Sequence, residues 1–271
     1  MKVSIICACK DRNEPLHASI GSWLLKKEVH EVIIVDWSSN EPLHPLTKLD
    51  SRVKVIRVDG EKYFNMPEPL NLAASIATGD ALLTMGTDYF FNPYPEYNFF
   101  DAYPIDDKTF IGGTDTTLSG RLYGEPIFKY LMGVMYVTKE NFDKVGGYRE
   151  VSKDYFGNED YDLNERLKMI GLKQIGIDQN YTIFHIPHTD RKRIENFKSY
   201  NEDHQFREEV FNSLSQSFSG DELQWQFDYI MSQRLLQQSK ESLIQNIDDK
   251  KVDWELVKFN DQLYKAKKVI N

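Results

Sequence analysis

Two cysteines, Cys7 and Cys9, are all that the 271 residues contain. They stand two apart, where a strand turns both side chains to one face and a disulfide between them would be strained. No zinc motif can be built from them, and two reduced, buried thiols are the expectation. Glycine-rich phosphate loops are missing too. Neither GxGxxG nor GxxxxGK[ST] occurs, so the dinucleotide-fingerprint and P-loop readings lack the loop that cradles phosphate. No apolar run approaches the roughly 18 residues that a membrane span requires. The opening MKVSIICACKDR passes straight into a strand pattern, without the charged-then-apolar layout of a signal sequence, so a cytoplasmic location is expected. Positive charge is in deficit: 33 Lys and Arg against 42 Asp and Glu leave a net charge of −9, which argues against nucleic acid as the main partner. An acidic protein that binds a diphosphate needs local help from a cation or a helix N-terminus.

Hydrophobic residues make up 41% of the chain and aromatics 13%, enough for a substantial core. Residues 3–9 (VSIICAC) and 32–35 (VIIV) are short, apolar and β-branched, as buried parallel strands are. Leu16, Ile20, Trp23 and Leu24 recur between them at helical spacing. Further strands are predicted at 53–58 and 81–85, with a helix around 68–78 that opens near Pro67 and Pro69 and stops at Gly79. This alternation implies an open α/β sheet with ligands at the carboxyl ends of its strands. Those ends carry Lys10, Asp11 and Arg12, then Asp36, Trp37, Ser38 and Ser39, then Gly86, Thr87 and Asp88. A hairpin is predicted around 110–124, an apolar segment at 130–137, a short helix from Thr138 to Gly146–Gly147, and a strand near 181–186. Residues 194–271 hold one glycine and no proline and are predicted to form two to four helices, either packed on the domain or making a homo-oligomer.

Two segments carry chemistry. FGNEDYDLNERL, Phe156 to Leu167, places Glu159, Asp160 and Asp162 at the opening of a helix whose apolar stripe is Leu163, Leu167 and Ile170 and whose stop is Gly171. FHIPHTDR, Phe184 to Arg191, sets two imidazoles and an arginine just after a strand. A carboxylate can deprotonate a hydroxyl and imidazoles can hold a metal, so the pair points to metal-assisted group transfer onto an alcohol. Three carboxylates at a helix opening also serve a purely structural end, each stabilising the N-terminus by about 0.3–1 kcal/mol.

Taken together the motifs resemble GT-A glycosyltransferases, close to the inverting family 2 enzymes and the β-1,4-galactosyltransferases, over roughly residues 3–193. VDWSS is similar to the family's VDDGS, FNMPEPLNLA (Phe64 to Ala73) to FNRAKLLNVG, and MGTD stands in the place of the DxD motif. GVMYVTKENFDKVGGY followed by FGNEDYDLNERL resembles GGVSALSKEQF, then GF, then WGGEDDDIFNRL. The resemblance implies a mixed central sheet flanked by helices over 1–193, with 194–271 as a helical extension. It makes Asp160 the catalytic base and puts Glu159, Asp162 and Phe156 against the acceptor. Asp11, Arg12, Asp36, Asn71 and Asp88 fall on the nucleotide-sugar, and Asp88, His185 and His188 hold Mn²⁺ or Mg²⁺. The partners implied are a nucleotide-sugar, UDP-linked, and a carbohydrate acceptor. Departures from the pattern are Gly86 for the first Asp of DxD, Met66 for the arginine of FNR, and Met132 for the first of two glycines. Two other classes remain open. A nucleotidyltransferase would carry a glycine-rich basic loop after strand one, which CACKDRNEP lacks, and a non-catalytic GT-A relative would bind a glycan or partner without transfer.

Overall fold

The computed structural model describes residues 1–113, 131, 133–152, 154, 157–177, 182–186, 188, 191, 194–245, 249 and 251–269. The hairpin expected around 110–124, apart from its first strand, lies outside them, as do Met132 and Phe156.

Eleven strands and eight α-helices stand among the described residues. The strands are β1 Val3–Cys9, β2 Val29–Trp37, β3 Val53–Val58, β4 Ala81–Thr84, β5 Tyr89–Phe91, β6 Thr109–Gly112, β7 Met135–Thr138, β8 Lys173–Gly176, β9 Ile183–His185, β10 Trp254–Lys258 and β11 Leu263–Lys268. The helices are α1 Asn13–Leu24, α2 Pro67–Ile76, α3 Phe99–Ala102, α4 Lys139–Lys144, α5 Glu159–Met169, α6 Lys198–Glu202, α7 His204–Leu214 and α8 Gly220–Gln245. Nine strands form one mixed sheet in the order β10-β11-β3-β2-β1-β4-β7-β6-β8. Its centre is parallel, β3, β2, β1 and β4, while β7 runs antiparallel to both β4 and β6.

Both faces of the central strands are buried, which is why β1 reads as an unbroken apolar run rather than an alternation. Val3, Ile5, Cys7 and Cys9 pack with Leu16, Ile20 and Trp23 of α1 on one face. Ile6 and Ala8 turn the other way, into a second core with Leu70 and Ala73 of α2, Phe142 of α4, and Leu163 and Leu167 of α5. The strand's two-residue period thus sends alternate side chains to two helical layers. Cys7 and Cys9 are free and buried in the first core; burial pushes the Cys9 thiol up to about 12.

The chain's second half departs from the expectation in two places. β8 (KQIG) pairs with β6, although its short, half-exposed sequence carries no alternation. The segment 194–271 is helical only as far as α8. Beyond it β10 and β11 form an antiparallel hairpin, and β11 joins the central sheet parallel to β3. WELVK and LYKAKK are rich in charge because they cover a sheet edge, and the absence of glycine and proline there mimicked helix.

Candidate active site

A separate two-stranded ribbon assembles the site. β5 and β9 pair antiparallel with Tyr89 opposite His185, and the Ile186 amide donates to the carbonyl of Asp88 at 2.8 Å. That register brings Asp88, just before β5, against both His185, the last residue of β9, and His188. Asp88 Oδ2 lies 2.9 Å from His188 Nε2 and 3.5 Å from His185 Nε2, and the two Nε2 atoms are 3.2 Å apart. Arg12 of the β1–α1 turn donates from Nη2 to the same oxygen at 2.7 Å. All four side chains are largely buried. Burial opposes ionisation of Asp88, yet the two imidazoles and the Arg12 guanidinium outweigh it and hold the carboxyl well below the usual carboxylate range.

These residues fit a divalent cation. Ligand atoms about 2.1 Å from a shared ion and at right angles to one another stand about 3 Å apart, close to the separations here. One carboxylate and two imidazoles suit borderline first-row metals. The His185 ring packs edge-on against Tyr89, 5.3 Å between centroids, and its Nδ1 is buried without a hydrogen-bond partner. Gly86 also has a local reason. A Cβ there would come within 2.8 Å of Asp88 Oδ1 and 3.2 Å of the Tyr89 ring, so the aspartate of DxD has no room beside Asp88 as it is held here.

The other strand-end residues build the walls. Asp36 is fully buried and accepts from the amides of Ser39 and Leu43, each at 3.0 Å, and from Arg57 Nη1 at 2.8 Å. Its acceptors are spent largely on shaping the loop after β2. Asp11 accepts from the Asn40 amide at 2.7 Å and donates its own amide to Ser39 Oγ at 3.1 Å, tying the β1 and β2 ends together. Lys10, absent from the expected site, donates to the carbonyls of Ser38 (3.0 Å) and Glu61 (3.1 Å). Asn71 holds the turn that leads to the acidic helix: it accepts from the Tyr148 amide (2.9 Å) and donates to the Tyr148 carbonyl and Glu150 Oε1 (both 2.8 Å).

Glu159, Asp160 and Asp162 occupy the first turn of α5, with Arg166 and Lys168 in its last, the charge order that complements the helix dipole. Asp162 is committed to ion pairs with Arg166 (2.7 Å) and Arg149 (3.4 Å). Asp160 accepts from the Tyr161 amide at 2.7 Å. Burial, and then the charges of Asp160 and Glu159, push the Tyr148 phenol well above its usual range. The residues flanking these sites are the non-glycine residues at positive φ among those described: Asp11 (52°), Ser38 (57°) and Asn158 (66°). Strained backbone concentrates where side chains must be aimed.

One contribution went unseen in the sequence: α8 packs behind the acidic motif. Asn158 Nδ2 donates to the Leu236 carbonyl at 2.7 Å, Arg149 Nη1 to the Leu243 carbonyl at 3.0 Å, and Ser239 Oγ to the Gly157 carbonyl. Asp249 accepts from the amides of Glu150 (2.7 Å) and Val151 (3.1 Å). No periodicity could have announced these contacts, because they are made to backbone atoms.

The architecture is the GT-A fold, shared with solved structures of glycosyltransferases. Residues 121–199 match the family described as the N-terminal domain of galactosyltransferase. That span contains Asp160, His185 and His188. Three solved structures illustrate the likeness. One is residues 1–349 of TarS from S. aureus, 16% identical with a TM-score of 0.52 over 78% of this chain and 66% of that one. Another is the mannosyltransferase PcManGT from Pyrobaculum calidifontis, in complex with GDP-Man and Mn²⁺, 12% identical with a TM-score of 0.54 over 90% and 74%. The third is a Drosophila β-1,4-galactosyltransferase 7 variant, in complex with manganese, UDP-Gal and xylobiose, 12% identical with a TM-score of 0.54 over 100% and 95%. The chain spans 66% of that TarS fragment and 40% of a longer TarS chain. The sequence matches none of the curated proteins at a significant level. Among the described residues no helix is long and apolar enough to cross a membrane.

Proposed function

We propose that the chain is an inverting, metal-dependent glycosyltransferase that moves a sugar from a UDP-sugar to a hydroxyl of a glycan acceptor. The observation that carries this reading is the convergence of Asp88, His185 and His188 beside Arg12 at the carboxyl ends of the sheet strands. Asp88, His185 and His188 would hold Mn²⁺ or Mg²⁺, which when bound neutralises charge on the diphosphate leaving group. The Mn²⁺ in the PcManGT and Drosophila complexes supports that choice. Arg12 brings a second positive charge to the same place. Asp11 and Asp36 hold the loops that the nucleotide passes, and Asn71 fixes the turn ahead of α5.

Asp160 acts as general base. Its carboxylate takes the proton of the acceptor hydroxyl while that oxygen forms a bond to the anomeric carbon. The bond from that carbon to the diphosphate oxygen breaks on the opposite face, and UDP departs with the electron pair. Glu159 borders the acceptor. Asp162 serves the acceptor side through Arg149 and Arg166, holding the helix opening in place.

Calorimetric titration of UDP with Mn²⁺, and again with EDTA, tests the donor side. Binding at micromolar UDP only when metal is present is expected, and equal binding in EDTA would remove the metal from the account. Asp160→Asn is expected to keep that binding and lose transfer by about 10²–10⁴-fold, measured over a panel of UDP-sugars and oligosaccharide acceptors. Normal turnover in the variant would remove Asp160 as the base.

A further inference from the structure

Beyond the site at the strand ends, a cavity of about 420 Å³ opens among α6, α7 and α8, with Arg191 also in its lining. We propose that it is a subsite for an anionic saccharide, the acidic group of which sits between Arg191 and Arg207 while a sugar face lies on Phe211. This rests on the glycosyltransferase reading and makes the cavity an acceptor subsite remote from the reacting hydroxyl.

The chain as a whole is strongly acidic, at −9, yet among the described residues that line this cavity Arg191, Arg207 and His204 stand against one acidic residue, Glu208. Arg207 is held from one side. Its guanidinium stacks on the Tyr200 ring at 4.2 Å and Nη1 reaches the Tyr200 carbonyl at 3.5 Å, while its buried Nε has no hydrogen-bond partner. That Nε is enclosed by the protein, so an oxygen in the cavity would meet the Nη edge of the guanidinium instead. Arg191 is exposed, and among the described residues its side chain makes a long contact to Glu195 (3.9 Å) and one to Gln224 (3.3 Å). A guanidinium pair is the natural receptor for carboxylate or phosphate oxygens. Phe211 is 43% exposed and is braced from behind by Phe227, 5.7 Å between centroids, so an apolar ring face is available to the C–H side of a pyranose. The cavity is connected to the candidate metal site through the chain: Arg191 follows His188 by three residues. A polymeric acceptor lying in it would be led toward that site.

The test uses the full chain in EDTA, which removes the metal-dependent donor site from play. Three probes are titrated: a uronic-acid tetrasaccharide, glucose 6-phosphate, and a neutral glucose tetrasaccharide. At least one anionic probe is expected to bind ten-fold or more tightly than the neutral one, and which of the two does so distinguishes a carboxylate-bearing from a phosphate-bearing glycan. Asn212→Glu, at an exposed position on the rim, is expected to weaken that binding at least five-fold without altering the melting temperature. Arg207→Gln is expected to abolish it. Equal binding of neutral and anionic probes, or an Asn212→Glu variant that binds as the parent does, overturns the proposal. UDP titrated with Mn²⁺ into the same variants reports separately on the glycosyltransferase reading. If UDP fails to bind in every variant while the anionic saccharide still binds, that reading falls and the cavity stands. If UDP binds and no saccharide does, the reverse holds.

Discussion

Gly86 shows how a single departure from a motif is compensated by its neighbours. In the DxD pattern an aspartate stands at this position, and its loss looks at first like loss of metal or ribose binding. The contacts argue otherwise, since Asp88 Oδ1 and the Tyr89 ring already fill the space that a Cβ at residue 86 would enter. Asp88 is then drawn to Arg12 and the two histidines rather than to a second carboxylate. Restoring the motif with Gly86→Asp would therefore push Asp88 out of place and set two carboxylates side by side, at an overpacking cost of about 1–3 kcal/mol. The expected outcome is Mn²⁺-dependent UDP binding weakened at least ten-fold by calorimetry, where a missing ligand would instead have predicted a gain. Tighter binding in Gly86→Asp would show that the glycine marks a degraded site. The same residue explains a limit of the sequence pattern. MGTD locates a candidate metal position by its spacing from the strand, but nothing in it reveals that Arg12, 76 positions earlier, is the partner of its aspartate.

At the scale of elements, the parts legible beforehand were those with strong periodicity or punctuation. The apolar strands β1 and β2, the helix stripe of α1, and α5 with its acidic first turn and Gly171 stop all follow from local pattern. The histidine pair was legible as chemistry, and the β5–β9 register supplies the geometry. What escaped was tertiary in origin. β8 is too short and too exposed to signal itself, the β10–β11 hairpin is charged because it lies at an edge, and the support of α8 behind the acidic motif runs through carbonyls. That support is testable at Asn158, which combines a left-handed backbone (φ 66°) with a hydrogen bond to Leu236. Asparagine tolerates this conformation better than other side chains, and glycine adopts it freely. Asn158→Ala loses both features, whereas Asn158→Gly loses only the tether. If α8 aims the α5 opening, Asn158→Gly should retain the parent melting temperature within a few degrees while turnover falls by about ten-fold or more with the donor KM unchanged. Full activity in Asn158→Gly would reduce α8 to a packing element.

For the molecule as a whole, the last strands close the fold over the place where β2 ends. β11 continues the sheet beyond β3, and Lys268 at its end lies against both Trp37 and Trp254, 5.2 and 5.7 Å from the ring centroids. Burial works against the ammonium, but its ion pairs with Glu61 (2.7 Å) and Glu68 (2.9 Å) outweigh that and raise its pKa above the ordinary lysine value. Glu68, near the start of α2, is completely buried. The C-terminal end of the described chain therefore neutralises a charge inside the core that carries the site's walls. Removing one member of a buried pair is far worse than never having built it, because the other charge is left in a medium that cannot solvate it. Lys268→Met should accordingly cost about 3 kcal/mol, read as a lowered denaturant midpoint with little change in slope. The double variant Lys268→Met with Glu68→Gln should recover more than half of that loss, since the remaining buried group is neutral. If the double variant is as unstable as the single one, packing of the lysine stem against the tryptophans is the main contribution and the charge pair is secondary. A midpoint that does not move in either variant would mean that the pair of Lys268 with Glu68 adds nothing to the stability of the fold.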